Sequence, residues 1–126
     1  MSSRVVIADD VADIRLLLGA VLTLDGFFEV VAEAADGSEA LQKCRDARPD
    51  VVVLDMNMPV RSGFDVLPAI RAELPDAVIA VFSGFEKDSL GDKTLGLGAD
   101  VYLEKGTPAL EVAERLKALV EARRGA

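Results

Sequence analysis

The 126-residue chain has no histidine and only one cysteine, Cys44. Without imidazole there can be no Ser-His-Asp triad, no histidine general base and no histidine-ligated zinc. One thiol cannot close an internal disulfide or build a multi-cysteine metal centre, and Cys44 reads as inert core on an apolar helix face. Long apolar runs are also missing. The densest stretch, Leu16 to Leu24, is too short to span a bilayer, so no membrane association is expected. The start, Met1-Ser2-Ser3-Arg4, lacks the design of a signal peptide, and a cytoplasmic location is the expectation. Basic charge is scarce: 14 lysines and arginines stand against 22 acids, a net charge of −8. That sign is wrong for direct nucleic-acid contact, which needs a concentrated basic stripe, and Arg123-Arg124 is too short to supply one.

What is present is a globular composition, 51% hydrophobic and 29% charged, long enough for one domain with a real core. Its chemistry must rest on carboxylates, lysine, hydroxyls and backbone. Oxygen ligands without nitrogen or sulfur suit hard cations, magnesium or calcium.

Short β-branched runs without polar alternation occur at residues 5–8, 51–54 and 78–82, as expected of strands covered on both faces in a parallel sheet. Weaker strands are expected at 29–34 and 101–103. Helical spacing fills the gaps. Ile14, Leu17, Leu18, Val21 and Leu24 are expected on one buried face, with Gly26 ending that helix. Asp36 opens a second helix with Glu39 as in a capping box, and Pro49 follows its end. A third helix, 64–74, contains Pro68, which should bend or shorten its first turns. A fourth, 86–97, contains Gly91 and Gly96 and should be the softest covering element. The fifth is expected to start with Thr107 as cap and Pro108 in the first helical position, with Val112, Ala113, Leu116, Leu119 and Val120 on one face. Five strands alternating with five helices make a doubly wound α/β sandwich.

In such a sheet, ligands bind beyond the carboxyl ends of the strands, where strand order reverses. The residues that follow the apolar runs are Asp9 and Asp10, then Asp55, then Ser83-Gly84, then Glu104-Lys105. Crowded carboxylates repel and call for a hard divalent cation. Lys105 as a point charge and Ser83 as a donor complete an oxyanion site. The physical reading is a phosphoryl-binding site whose own carboxylate could be the nucleophile. Taken singly, Asp9-Asp10 could be helix-start acids, Asp55 a turn residue, Tyr102 ordinary core and Lys105 a solvated charge. Their occurrence at successive strand ends favours the site.

The same segments resemble the receiver domain of two-component response regulators over essentially the whole chain. Asp9-Asp10 resembles the family's acidic pair, and Asp55-Met56-Asn57-Met58-Pro59-Val60-Arg61-Ser62-Gly63 its phosphoacceptor loop. Asp36-Gly37-Ser38-Glu39-Ala40-Leu41, Ser83-Gly84, Gly98-Ala99-Asp100-Val101-Tyr102-Leu103 and Lys105 complete the set. The resemblance implies a single receiver domain over residues 1–126, with a flavodoxin-like five-stranded parallel sheet in the order 2-1-3-4-5. Asp55 would be phosphorylated by a partner histidine kinase or histidine phosphotransfer protein. Magnesium would be held by Asp10, Asp55 and the backbone carbonyl of Asn57, with Asp9 acting through water. Lys105 and Ser83 would bind phosphoryl oxygens, and Tyr102 would turn inward as Ser83 is drawn to the phosphate. The domain would be both substrate and catalyst of its own modification, rather than an enzyme acting on others. Phosphorylation would bias the surface of the fourth helix, fifth strand and fifth helix toward a downstream protein target. No effector segment follows the fifth helix within these residues, so output is expected through protein contacts.

The family's usual proline after the lysine is replaced by Gly106, so a trans bond is expected there. Rival classes fit less well. A flavodoxin-type carrier needs a hydroxyl- and glycine-rich loop where Asp9-Asp10 stands, and a haloacid-dehalogenase-type phosphatase needs Asp-x-Asp there. A receiver-fold interaction module that works without phosphorylation is the remaining alternative, against which Asp10, Asp55, Ser83 and Lys105 stand intact.

Overall fold

The alternation of strand and helix signals is realised in full. The structure, a computed structural model, describes residues 2–84 and 87–125, with the side chains of residues 87–90 left aside. The elements run β1 (Ser3–Ala8), α1 (Ala12–Leu22), β2 (Phe28–Ala34), α2 (Gly37–Ala47), β3 (Val51–Leu54), α3 (Gly63–Glu73), β4 (Val78–Ser83), α4 (Lys87–Gly96), β5 (Val101–Glu104) and α5 (Ala109–Arg124). The strands form one parallel sheet in the order β2-β1-β3-β4-β5. Glu86, the expected first residue of the fourth helix, lies outside the described residues.

The period of two along each strand sorts side chains between two cores. Val5, Ile7, Val51, Val53, Val78 and Ala80 pack with Leu18 and Leu22 of α1 and with Val112, Leu116 and Val120 of α5. Val6, Ala8, Val52, Leu54, Ile79 and Val81 pack on the other face with α2 and α3. Every residue of β3 and β4 is buried, which is why neither shows polar alternation. Strand order reverses at β1, where the chain first builds β2 on one side and then β3 on the other. The rim above that point is the crevice where such folds bind ligands.

Helix ends follow local chemistry with three differences from expectation. Asp36 caps α2 by accepting the Glu39 N–H at 2.8 Å, and the Glu39 carboxylate accepts the Ala35 N–H at 3.2 Å. Helix α3 runs unbroken through Pro68 instead of shortening, its start fixed by Ser62, whose hydroxyl accepts the Asp65 N–H at 3.2 Å. In α5 the extended backbone of Pro108 is itself the cap and Ala109 the first helical residue, one position later than expected. The largest difference is in α1. Leu18 and Leu22 are its buried residues, whereas Leu17 and Leu24 are 55% and 75% exposed. The helix also stops at Leu22, with Thr23 as its cap, so Gly26 belongs to the turn beyond it. Leu16, Leu17, Leu18, Val21 and Leu22 spread apolar side chains over most of the helix circumference, and spacing alone cannot select a face.

This facing yields a direct test. Leu18→Ala should cost about 2–5 kcal/mol of folding stability, as for a buried leucine. Leu17→Ala should stay within roughly 0.5 kcal/mol. Urea denaturation of both variants checks it, and a reversed order would rotate the helix.

Candidate functional site

Four of the five strands deliver the site residues as they leave the sheet. After β1, the Asp9 N–H donates to the Ala34 carbonyl at 3.0 Å, and its carboxylate accepts the Val11 N–H at 2.9 Å. After β3, the Asp55 N–H donates to the Ala8 carbonyl at 3.0 Å, while its Oδ1 accepts the Asn57 N–H at 3.1 Å. Ser83 ends β4 fully buried, and its carbonyl accepts the Lys105 N–H at 2.8 Å. That bond sets Lys105 beside the other strand ends. Its Nζ then lies 2.9 Å from Asp9 Oδ2 and 3.1 Å from Asp55 Oδ2.

Asp9 and Asp55 are 2% and 1% exposed, while Asp10 and Asn57 face solvent. One oxygen from each of Asp9, Asp10 and Asp55 lies within 4.8 Å of the others. Burial pushes the Asp55 carboxyl above its ordinary pKa, and the charge of Asp9 adds to this, outweighing the Asn57 N–H and Lys105. For Lys105, burial acts to lower the pKa. The hydrogen bonds and charges of Asp9 and Asp55 outweigh it and hold the ammonium above its usual value. No peptide bond among the described residues is cis, so Lys105-Gly106 is trans as expected.

The loop after Asp55 is held at two glycines. A Cβ on Gly63 would lie 2.3 Å from the Asp55 carbonyl, and one on Gly37 would lie 1.9 Å from the Arg61 carbonyl. Only glycine fits at either contact, so α2 and α3 both start hard against this loop. Between them Val60 takes a left-handed φ of 66°, unfavourable for a β-branched residue.

Tyr102 is 3% exposed and packs in the core on the α2 and α3 side of the sheet. Cys44 is fully buried there too, its thiol pushed up to about 12 by burial, so it stays a thiol. Sequence spacing did not single out Arg15. Its guanidinium donates to the Asp9 carbonyl and, at 3.0 Å, to Glu33 Oε1 on β2. Only the pairing of β1 with β2 brings those acceptors together, and the linear sequence carries no signal of it.

The donor set fits a hard divalent cation: three carboxylate oxygens, no nitrogen or sulfur, and one lysine to neutralise them. The family model of the response regulator receiver domain matches residues 5–117. The chain belongs to that family.

The receiver domain is 43% identical over 127 residues to the transcriptional regulatory protein PrrA of Mycobacterium leprae, covering 99% of this chain and 52% of PrrA. It thus spans about half the length of that relative. It is 34% identical over 116 residues to the chemotaxis protein CheY of Thermotoga maritima, covering 92% of this chain and 96% of CheY. Among solved structures, the signal receiver domain of the response regulator NarL from Mycobacterium tuberculosis matches with a TM-score of 0.85 at 32% identity, over 99% of this chain and 98% of that one. The Borrelia burgdorferi complex of CheY with CheX, BeF3 and magnesium matches with a TM-score of 0.87 at 28% identity, over 93% of this chain and 88% of that one. The shared fold includes the sheet order β2-β1-β3-β4-β5 seen here.

The raised pKa of Asp55 has a signed consequence for this receiver domain. The stability tied to protonated Asp55 is fully present below the unfolded carboxylate value of 3.8 and is lost as pH rises through the higher folded value. Ionised Asp55 therefore works against the metal-free fold at neutral pH. Asp55→Asn should raise the melting temperature at pH 7 in chelator, with the gap closing in strong acid. A lower melting temperature for the variant at pH 7 would mean that the pairing with Lys105 dominates.

Proposed function

We propose that the domain takes a phosphoryl group onto Asp55 from a phosphohistidine on a partner histidine kinase or phosphotransfer protein. The observation that carries this reading is the Lys105 ammonium spanning two buried carboxylates, Asp9 and Asp55, with Asp10 beside them on the sheet rim. Asp10 and Asp55 would ligate magnesium with the Asn57 carbonyl, and Asp9 would act through water. Magnesium, when bound, supplies charge neutralisation at the transferring phosphoryl group.

The chain's own residues do the rest by position. A carboxylate oxygen of Asp55 forms the new bond to phosphorus as the donor's phosphorus–nitrogen bond breaks, and the electron pair returns to the imidazole nitrogen. The Lys105 ammonium pairs with one phosphoryl oxygen and the Ser83 hydroxyl donates to another. The domain is thus substrate and catalyst of its own phosphorylation, and of the hydrolysis that later clears it. The absent histidine agrees with this division of labour, since the donor must bring its own. The magnesium and BeF3 of the Borrelia CheY complex support the same assignment.

Output would run through protein contacts at the face of α4, β5 and α5. The Lys105 N–H bond to the Ser83 carbonyl joins β4 to β5 directly under that face. Tyr102, buried beside Val81 of β4, would be the aromatic that follows Ser83 as the hydroxyl is drawn toward the phosphate. PrrA is named a transcriptional regulator, and this chain matches about half of it. For this domain, with its net charge of −8, we infer a downstream protein target rather than direct nucleic-acid contact.

Two measurements test the reading. Incubation with magnesium and acetyl phosphate, followed by intact mass, should add one phosphoryl group to wild type and none to Asp55→Asn. No gain with acetyl phosphate or with candidate kinases would point to an interaction module that works without phosphorylation. Amide exchange should be faster along α4, residues 87–96, than in β3 and β4, and should slow on phosphorylation. High protection throughout α4 before phosphorylation would contradict the switching role.

A further inference from the structure

The peptide that joins Asp9 to Asp10 is held from outside the acidic cluster. Arg15, in the first turn of α1, has a side chain only 18% exposed. One end of its guanidinium donates to the Asp9 carbonyl, and its Nε donates to Glu33 Oε1 at 3.0 Å. Glu33 sits on β2 opposite Ile7 of β1, two residues before Asp9. On its other side, the Asp9 residue is tied by its N–H to Ala34 and by its carboxylate to the Val11 N–H. The 9–10 peptide plane therefore cannot rotate without breaking a charge-assisted bond.

We propose that Arg15 is a positioning residue for Asp10: by gripping the Asp9 carbonyl and Glu33 together, it sets the direction in which the exposed Asp10 carboxylate projects into the cation site. The proposal rests on the magnesium reading above. Charge alone predicts the reverse effect, because a bystander cation near a magnesium site repels the ion and its removal tightens binding. Lysine keeps the charge but lacks the fork that spans two acceptors. The positioning role thus separates from the electrostatic one by sign.

The experiment compares wild type with Arg15→Lys and Arg15→Met by calorimetric magnesium titration and by backbone amide NMR without metal. Both variants should bind magnesium about tenfold more weakly, the usual effect of losing a group that orients a ligand. The Asp10 and Val11 amide resonances should shift in both before any magnesium is added. Unchanged amides, or Arg15→Met binding magnesium as tightly as wild type or more tightly, would overturn the proposal. Wild-type affinity in Arg15→Lys would overturn it too, since the fork that spans both acceptors would then be unnecessary. Glu33→Ala frees one end of the fork at a half-exposed position and should move the same amides by less, which keeps the test open if an Arg15 variant does not fold. A wild type that takes no magnesium would sink the functional reading instead, and the amide comparison would still decide whether Arg15 orients Asp10.

Discussion

Two buried carboxylates sharing one ammonium is the arrangement on which the rest of this molecule turns. Asp9 and Asp55 are nearly without solvent, and Lys105 reaches both. Breaking such a pairing by removing the cation would leave uncompensated buried charge at a cost of several kcal/mol. Even so the neutralisation is incomplete. With Asp10, three carboxylates face one ammonium, leaving two negative charges over, the charge that a divalent cation brings. A site left short of charge in this way works against the bare fold and in favour of binding, a common compromise at functional positions.

The parallel sheet makes that crowding affordable and repeatable. Three strands that end at one rim place their next residues within reach of one another, and cross-strand backbone bonds fix where each points. The Asp55 N–H on the Ala8 carbonyl and the Lys105 N–H on the Ser83 carbonyl are the two that matter most. Neither bond involves a side chain, so the geometry of the rim is inherited from the ladder. The two-sided burial of β3 and β4 then resists any shift of it.

That logic explains what could be read in the sequence. Uninterrupted β-branched runs such as Val51–Leu54 announce buried parallel strands, and the acids and lysine after such runs announce the rim. The facing of α1 was not legible because leucines surround it, and only packing against α5 decides that Leu18 goes in and Leu17 stays out. Pro108 fits both a cap and a first helical position, and a one-residue difference follows from backbone geometry that its identity does not specify. Arg15 was invisible for a different reason. Its acceptors are a main-chain carbonyl and an acid on β2 eighteen residues away, an ordinary surface pairing until the register of β1 on β2 is known.

At the opposite pole of the sheet the electrostatics are inverted, and this bears on where a signal could travel. Arg71 donates to the carbonyls of Gly98, Leu74, Pro75 and Ala77 and to Asp100 Oδ2 at 2.8 Å. Asp100 also takes the Ile79 N–H at 2.8 Å and Arg123 of α5 at 2.7 Å. Here cation and carboxylate saturate each other, stapling the end of α3, the start of β4, the turn into β5 and the last turn of α5. A part-buried, fully bonded network of this kind is stiff, because loss of one member strands the others. If phosphorylation moves Ser83 and Lys105 at the rim, the α4–β5 turn is pinned and cannot follow. The displacement must then be absorbed nearer the rim, along α4 and the top of β5. On the proposed function, the satisfied pole would thus confine the response of the unsatisfied one to the output face.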